Sequence, residues 1–210
     1  MTPDGPPPFK AWTLRDVVDV DFPAFALRTY LEQAGVRRFL AEASGGRRLA
    51  AAAEVGCGYG RLLPVLSEFA DRVAGFERQP EFAAEATRLH PGAEISRVAT
   101  LARLPSSDAA FDFVLTFTVL QHLVDPVAGA VAAEIRRIRA PGGRVLICEE
   151  TDPSHRWGET GDPEGMCTVG RSAETYARLF APLRLLASAP RVIEPTYARG
   201  DVGTYLLFGE

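Results

Sequence analysis

Three glycines at alternate positions, Gly56, Gly58 and Gly60, stand between Glu54 and Arg61. A run of small apolar residues precedes them and a leucine-rich segment follows, which predicts a strand, a glycine turn and a helix. This arrangement is typical of α/β proteins at the point where they bind a nucleotide-like ligand. The first chemistry to expect from this chain is therefore ligand binding at a glycine loop.

Two histidines are candidates for proton transfer. His122 follows an apolar segment in "TVLQHL", and His155 lies in "TDPSHRWGETGDPEGMCTVGR", which has no helical or strand pattern. Either imidazole could act as a general base that removes a proton from a hydroxyl or amine of a substrate, because the ordinary pKa of histidine lies near neutral pH. Two other interpretations stay open: His122 orders a turn, and the stretch around His155 is a lid that excludes water.

Alternating strands and helices would position these residues. Five strands are expected at 49–55, 72–77, 93–98, 111–119 and 144–150, with helices at 61–70, 80–90 and 126–140 between them. This alternation predicts a parallel sheet with helices on both faces. A helix over 172–180 and strands over 183–194 and 202–210 follow, and the short connection between those strands requires an antiparallel hairpin.

The N-terminal part of the chain is expected to be helical. Residues 24–43 carry apolar residues at helical spacing, and Gly35 is a point at which this helix could split in two. The whole chain of 210 residues suits one α/β domain. We expect residues 1–45 to form a helical lid segment and residues 151–171 a substrate loop.

Taken in order, four segments resemble the class I S-adenosylmethionine-dependent methyltransferases, in particular a small-molecule type with a methyltransferase-11-like domain. They are "EVGCGYG", "FE" at Phe76-Glu77, "LARLPSSDAAFDFVLTFTVLQHLVDP" and "IRAPGGRVLICEE". The resemblance extends from Leu49 to the C-terminus. It implies a Rossmann-like seven-stranded sheet, five parallel strands plus a C-terminal antiparallel β-hairpin. It also implies S-adenosylmethionine as cofactor and S-adenosylhomocysteine as product.

The resemblance assigns roles to residues of this chain. Glycine at the loop positions lets the backbone pass close under the cofactor, Glu77 accepts from the ribose hydroxyls, and Glu54 accepts from the cofactor's amino group or orders the loop. The cofactor site comprises Glu54, Gly56, Cys57, Gly58, Gly60, Arg61, Glu77, Arg78, Thr100, Leu101, Thr116, Phe117 and Gln121. The acceptor site comprises Trp12, Tyr30, His122, His155 and Trp157, with His122 and His155 as the catalytic candidates.

One position departs from the family pattern. An acid often precedes the "LP" of the third motif and holds the adenine amino group, but Thr100 stands there in "ATLARLP". Either Thr100 and the backbone around Leu101 hold the adenine more weakly, or another group contributes.

Two alternatives are weighed against this interpretation. An NAD-dependent dehydrogenase would show G-x-G-x-x-G rather than G-x-G-x-G and a sixth parallel strand rather than a hairpin, so it is the less favoured of the two. An S-adenosylmethionine-binding protein without catalysis, regulatory or scaffolding, also fits the glycine loop and Glu77, and Thr100 slightly favours it.

The composition and charge of the chain limit the classes of partner that we expect. The net charge is −4, and the arginines are scattered beside acids, so we expect no nucleic-acid partner. Three cysteines without CxxC spacing and three histidines predict no metal site. No apolar run approaches the ~20 residues of a membrane span and no signal peptide is evident, so we expect a cytoplasmic protein without membrane attachment. The expected acceptor is an O or N atom of a small molecule, with secondary metabolites as one candidate class; monomer and homodimer both stay open.

Overall fold

The computed structural model describes residues 22–157, 167–192 and 203–210. The strands in these ranges are β1 (Leu49–Val55), β2 (Ala70–Glu77), β3 (Glu94–Arg97), β4 (Phe111–Phe117), β5 (Arg139–Glu149), β6 (Arg156–Trp157), β7 (Thr168–Val169), β8 (Arg184–Pro190) and β9 (Thr204–Gly209). The helices are α1 (Phe22–Ser44), α2 (Leu63–Phe69), α3 (Pro80–Leu89), the 3₁₀ turn η1 (Leu120–His122), α4 (Asp125–Ile138) and α5 (Ala173–Phe180).

Seven strands form one twisted sheet in the order β3-β2-β1-β4-β5-β9-β8. The first five pair in parallel, whereas β9 runs antiparallel to both β5 and β8. The predicted fold class is confirmed, including the antiparallel pair that closes the sheet. Strand order reverses between β1 and β4, and open α/β sheets bind ligands outside the carboxyl ends of the strands at such a point.

Helices cover both faces of the sheet, as predicted. On one face α1 and α2 bury residues such as Phe39 and Leu66 against Leu115 of β4. On the other face α4 and α5 bury Ile135 and Tyr176 among strand residues. Fully burying one such side chain stabilises the fold by about 1.5–3 kcal/mol. Because both faces are covered, the central strands are apolar throughout rather than alternating.

Gly35 does not split the first helix, so that expectation was wrong. Helix α1 continues from Phe22 to Ser44, and Gly35 packs against the phenol of Tyr205. A Cβ at this position would overlap the Tyr205 ring. Glycine is needed here for close packing of α1 on β9 rather than for a bend.

The Pro-Gly-Gly segment and the stretch 151–171 also differ from what the sequence predicts. The helix predicted to stop at Pro141 ends at Ile138, and β5 begins at Arg139, with a register shift against β4 that accommodates the Pro-Gly-Gly segment. The stretch 151–171, expected to lack strand pattern, contains β6 and β7, which pair antiparallel. Two-residue strands are too short to show a periodic pattern.

Part of the expected lid segment lies outside the described residues. Trp12 belongs to that part, whereas α1 is described and packs on the sheet through Val36, Phe39 and Leu40. A lid role for residues 1–45 therefore stays a prediction. Among the described residues, no helix has the length and apolarity that crossing a bilayer requires.

Candidate active site at the carboxyl edge of the sheet

The loop after β1 is fixed to the end of β2 and uses three left-handed glycines. Gly56, Gly58 and Gly60 have φ values of +74°, +56° and +87°. The N–H groups of Gly56 and Cys57 both donate to the carbonyl oxygen of Phe76, at 2.8 and 3.1 Å. Residues other than glycine rarely adopt such φ values, so the G-x-G-x-G spacing is required by the backbone itself.

The three glycines have different surroundings. A Cβ at Gly56 would lie 2.5 Å from Cγ2 of Val119, and a Cβ at Gly60 would overlap the ring of His90. At Gly58 a Cβ would meet none of the described residues within 4 Å. Of the three, Gly58 therefore faces open space, and this is where a ligand can lie against the backbone.

Glu77 holds the open loop in place. Its Oε2 accepts a hydrogen bond from Gly58 N and its Oε1 accepts one from Gln79 N, both at 2.8 Å. The residue is 8% exposed. A carboxylate oxygen can accept two hydrogen bonds, so each oxygen retains a site for a hydroxyl donor.

Glu54 is a buried acid with an unsatisfied oxygen. It is 2% exposed at the carboxyl end of β1, and its Oε2 has no hydrogen-bond partner among the described residues. Burial raises its pKa to about 8, the nearby charge of Glu77 adds to this, and Arg61 opposes it. Such a carboxyl group is suited to receive an N–H donor or a cation from a ligand.

His122 has protein partners at both ring nitrogens. Nδ1 lies 2.7 Å from the carbonyl oxygen of Cys167, so Nδ1 carries the proton and donates it. Nε2 lies 3.3 Å from the amide nitrogen of Gln121, which can donate to it. Burial lowers the pKa of His122, which keeps the ring neutral. This geometry ties the start of β7 to η1.

His155 is paired with a buried acid that follows β5. Its Nδ1 lies 2.8 Å from Oε2 of Glu150, whose Oε1 accepts from Asp152 N at 2.9 Å. Glu150 is 5% exposed, whereas the His155 side chain is 39% exposed. A carboxylate only accepts hydrogen bonds, so Nδ1 carries a proton, and in the neutral ring the lone pair is on Nε2. The pair has the arrangement of a general base and the acid that orients it.

Comparison with known proteins agrees with this geometry. Residues 53–147, which include the glycine loop and Glu77, match the family model described as a methyltransferase domain. This match confirms the predicted S-adenosylmethionine-dependent methyltransferase domain, and with it the predicted cofactor, for residues 53–147.

One curated relative shares part of the chain. A probable S-adenosylmethionine-dependent methyltransferase of Mycolicibacterium smegmatis is 34% identical over 94 residues, which cover 45% of this chain and 35% of that protein. The chain thus spans about a third of the length of this relative.

Two solved structures extend the comparison to nearly the whole chain. An S-adenosylmethionine-dependent methyltransferase of Leishmania major superposes with a TM-score of 0.73 at 18% identity, over 94% of this chain and 77% of that one. The 1,6-didemethyltoxoflavin N1-methyltransferase of Burkholderia thailandensis, solved with its substrate and S-adenosylhomocysteine, gives 0.65 at 20% identity over 97% and 93%. At these identities the likeness shows the shared fold.

The residues around the loop fit this methyltransferase cofactor. The open space at Gly58 is a cradle that a Cβ would fill, and the unsatisfied Oε2 of Glu54 lies at the end of β1, the strand that leads into this loop. Arg61 ends the glycine loop, and Arg78 follows Glu77. Cys57 is buried against Gly75, and burial raises the pKa of its thiol, so it packs rather than reacts.

Several other predicted cofactor residues lie along the same edge. Thr116 and Phe117 end β4 and, as neighbours in a strand, point to opposite faces; Oγ1 of Thr116 is buried without a partner among the described residues. Leu101 is buried in the core, and Thr100 Oγ1 accepts from Ala102 N at 3.2 Å. Their contacts with the cofactor stay predictions.

Gln121 connects η1 to the residue that follows β5. Its Oε1 accepts from Glu150 N at 2.8 Å, and its amide nitrogen faces His122.

Two other residues predicted to contact the methyl acceptor lie on α1 and β6. Tyr30 is 65% exposed on α1, and Trp157 lies in β6, where it pairs with Thr168. Their acceptor roles stay predictions.

Two charged residues that sequence reasoning missed hold η1 against the sheet. Glu149 is fully buried and accepts from the N–H groups of Val119, Leu120 and Gln121 at 3.1, 3.1 and 3.0 Å. Burial raises its pKa to about 7, against the lowering effect of these hydrogen bonds. In the sequence Glu149 is the first acid of "LICEE", and no feature of the sequence indicates that η1 packs against it.

Arg171 is the second of these residues. Its guanidinium donates to the carbonyl oxygens of Leu120, Leu123 and Val169 at 2.7, 2.5 and 3.2 Å, and it pairs with Asp125 at 2.8 Å. Arg171 is 3% exposed. It joins η1, β7 and the first turn of α4, and thereby positions the Gln-His pair of η1. No group of three or more metal-ligating side chains is found in the described ranges.

Replacing Glu77 tests the ribose assignment. In Glu77→Gln, an amide N–H₂ would face the N–H of Gly58 or Gln79, and one charged acceptor for the ribose would be lost. We expect S-adenosylhomocysteine to bind about 10- to 100-fold more weakly, the equivalent of about 1.5–3 kcal/mol. Calorimetric titration measures this, with the exposed Glu81→Gln as matched control. Unchanged affinity in Glu77→Gln would contradict the assignment.

Proposed function

We propose that this methyltransferase transfers the methyl group of S-adenosylmethionine to an oxygen or nitrogen atom of a small molecule, with His155 as the general base. The observation that carries the proposal is the hydrogen bond between His155 Nδ1 and the buried Glu150. An acceptor that binds as a neutral hydroxyl or as a protonated nitrogen has to lose a proton. Nε2 of His155 can take this proton while Glu150 holds the ring in place. A protein of the same fold, the 1,6-didemethyltoxoflavin N1-methyltransferase of Burkholderia thailandensis, is named for methylation of a nitrogen atom.

The cofactor would be held by residues on three neighbouring strand ends. Gly58 offers its backbone, Glu77 the ribose acceptors, Glu54 an acceptor for the amino group, and Thr100 with the backbone at Leu101 the adenine contacts. When bound, S-adenosylmethionine supplies a methyl group on a positively charged sulfur, which is transferred by in-line displacement. The protein's part is to exclude water and to align the acceptor, which contributes up to ~7–11 kcal/mol in favourable cases.

His155 would take the acceptor proton at Nε2. Glu150 keeps the Nδ1 proton in place and stabilises the imidazolium that forms, because its carboxylate is buried and lies within hydrogen-bond distance of this ring. General-base catalysis of this kind contributes about 10²- to 10⁴-fold. His122 is the weaker candidate for the base because both its ring nitrogens are engaged; its role would be to position η1.

The proposal is tested by methyl transfer in a defined panel of acceptors. Protein is incubated with [methyl-³H]S-adenosylmethionine and phenols, catechols, aryl amines and nitrogen heterocycles, and labelled products are identified by mass spectrometry. With the best acceptor, His155→Gln and Glu150→Gln should lower kcat by about 10²-fold or more and leave affinity for S-adenosylhomocysteine unchanged. His155→Gln with full activity would remove His155 as the base. Tight cofactor binding with no product from any acceptor would favour the non-catalytic alternative.

Glu54 should make cofactor binding release a proton. Without ligand its pKa is about 8, so it is protonated at pH 6.5, and a cation placed beside it favours the carboxylate. The affinity for S-adenosylmethionine should therefore rise with pH and level off above about pH 8. Titrations at pH 6.5 in buffers of different ionisation enthalpy should show release of up to about one proton. Glu54→Gln is the control, and equal proton release by wild type and Glu54→Gln would exclude Glu54 as the source.

We further propose that nucleic acid is not the acceptor. Several exposed arginines pair with acids, as in Arg37–Glu68, Arg88–Glu85 and Arg178–Glu174, so the charge of these arginines is locally balanced. A phosphate backbone requires an uncompensated basic stripe. Bulk tRNA in the same labelled assay should remain unlabelled.

A further inference from the structure

Thr118, the residue that follows β4, is β-branched and has a left-handed backbone conformation. Its φ is +52°, and the other non-glycine residue with a positive φ in the part of the chain that the structure describes is Ala109, at +55°. The left-handed region crowds a side chain against the backbone, and the second branch at Cβ makes threonine one of the residues least suited to it. Strained residues of this kind cluster at functional sites.

The backbone contacts of Thr118 account for the turn but not for the choice of threonine. Its N–H donates to the carbonyl oxygen of Cys148 at 2.8 Å, at the end of the pairing between β4 and β5. The next three N–H groups along the chain then donate to the carboxylate of Glu149. Glycine or asparagine would make the same turn at a lower cost in strain. This favours a role for the threonine side chain itself.

The hydroxyl group of Thr118 is available to a ligand. Oγ1 forms no hydrogen bond with another residue in the described ranges, and the residue is half-buried. The segment that carries it lies against the glycine loop, because a Cβ on Gly56 would come within 2.5 Å of Cγ2 of Val119. Thr118 therefore borders the cofactor site.

The order of the strands places Thr118 at the sulfur end of the cofactor. In the proposed binding mode the adenine lies at Thr100, after β3, and the ribose at Glu77, at the end of β2. The loop of Gly58 follows β1, and the strand beyond β1 in the sheet is β4. The part of the cofactor beyond the ribose, which carries the sulfur and its methyl group, would therefore extend toward the residue that follows β4.

We infer that the hydroxyl group of Thr118 faces the methyl group that is transferred and accepts a hydrogen bond from a donor at that position. The inference rests on the cofactor placement in the proposed function and adds a residue that lines the transfer position. A methyl group on a positively charged sulfur has polarised C–H bonds, for which a hydroxyl oxygen is a weak acceptor. An ammonium group at the same place would be a much stronger donor.

The experiment compares two cofactor analogues that differ at the transfer position. Sinefungin has an ammonium group where S-adenosylmethionine has its methyl group, whereas S-adenosylhomocysteine has no group there. Calorimetric titration gives the Kd of each for the wild type, Thr118→Val and Thr118→Ser. Thr118→Val keeps the branched shape and lacks the hydroxyl, so it should weaken sinefungin by about tenfold or more and leave S-adenosylhomocysteine unchanged. Thr118→Ser keeps the hydroxyl and should keep the wild-type ratio of the two Kd values.

Two glycine variants separate the hydroxyl from the backbone strain. Thr118→Gly relieves the strain, so it should resist urea at least as well as the wild type and still lose the same preference for sinefungin. Ala109→Gly relieves a similar strain shortly before β4, at the opposite edge of the sheet, and should keep the wild-type affinity for both analogues.

Three results would overturn the inference. They are equal changes in the two Kd values in Thr118→Val and Thr118→Gly, no change in either, and a wild type that binds S-adenosylhomocysteine but not sinefungin. In each case Thr118 would be a turn residue only. Because the readout is binding, a protein that shows the expected ratios but methylates no acceptor would contradict the proposed function alone. A wild type that binds neither analogue would contradict both.

Discussion

Gly58→Val should abolish binding of S-adenosylmethionine while the protein stays folded. The valine side chain would occupy the open space at the glycine loop, where no described atom lies within 4 Å of the position that a Cβ would take. It would also be strained at φ +56°, at a cost of about 1–3 kcal/mol. We expect affinity to fall by more than about 100-fold, which is about 2.7 kcal/mol. Calorimetric titration of wild type and variant measures this loss.

A second glycine, Gly142, provides a control that distinguishes the effect of backbone strain from the effect of filling the space for the cofactor. Gly142, near the start of β5, has φ +73° and no described neighbour within 4 Å of a Cβ, but it lies at the opposite edge of the sheet. Gly142→Val should therefore lose similar stability and keep wild-type cofactor affinity. If Gly58→Val bound the cofactor normally, the cofactor would not lie against this loop.

Arg171→Met should give the largest loss of stability among the variants considered. Methionine fills much of the same volume, but the carbonyl oxygens of Leu120, Leu123 and Val169 lose a charged donor in a buried environment. A buried polar group left unsatisfied costs about 1–3 kcal/mol, so a decrease of about 3–5 kcal/mol in the free energy of unfolding is expected. Urea denaturation measures it.

Arg178→Met is the matched control for this substitution. Arg178 is exposed on α5, where it pairs with Glu174, and its loss should change the free energy of unfolding by less than about 0.5 kcal/mol. A change at Arg171 no larger than that at Arg178 would show that the buried guanidinium does not hold η1. Cofactor affinity should also fall in Arg171→Met, because Gln121 depends on η1.

The order of strands and the glycine loop could be predicted because both depend on local pattern. Apolar runs of strand length, separated by helical periodicity, imply the parallel sheet, and the sheet in turn brings Glu54 and Glu77 to one edge. The G-x-G-x-G spacing reflects three left-handed φ values. These features need no knowledge of which distant residues meet.

The rest of the site depends on contacts between distant parts of the chain. Glu32 has the pattern of a helix-surface acid until Arg191 is brought to it, and Gly35 that of a helix breaker until Tyr205 is packed against it. His155 can be proposed from its residue type, but nothing in the sequence singles out its partner, the acid that follows β5. A sequence in isolation carries no signal for such pairings, because each is decided by the tertiary structure.

His90 shows the same limit for charge. A protonated histidine at the end of a helix complements the helix dipole, but the ring of His90 at the end of α3 packs over Gly60, and desolvation lowers its pKa. Its contribution is to the packing of the glycine loop rather than to the electrostatics of α3.

The most direct test of the central claim is calorimetric titration of the wild-type protein with S-adenosylmethionine, S-adenosylhomocysteine and NADH. Micromolar binding of the first two compounds, without binding of NADH, is the result that the glycine loop, Glu54 and Glu77 predict. Binding of NADH without binding of either sulfur compound would contradict the account, and the loop would then have to be reinterpreted as a dinucleotide site.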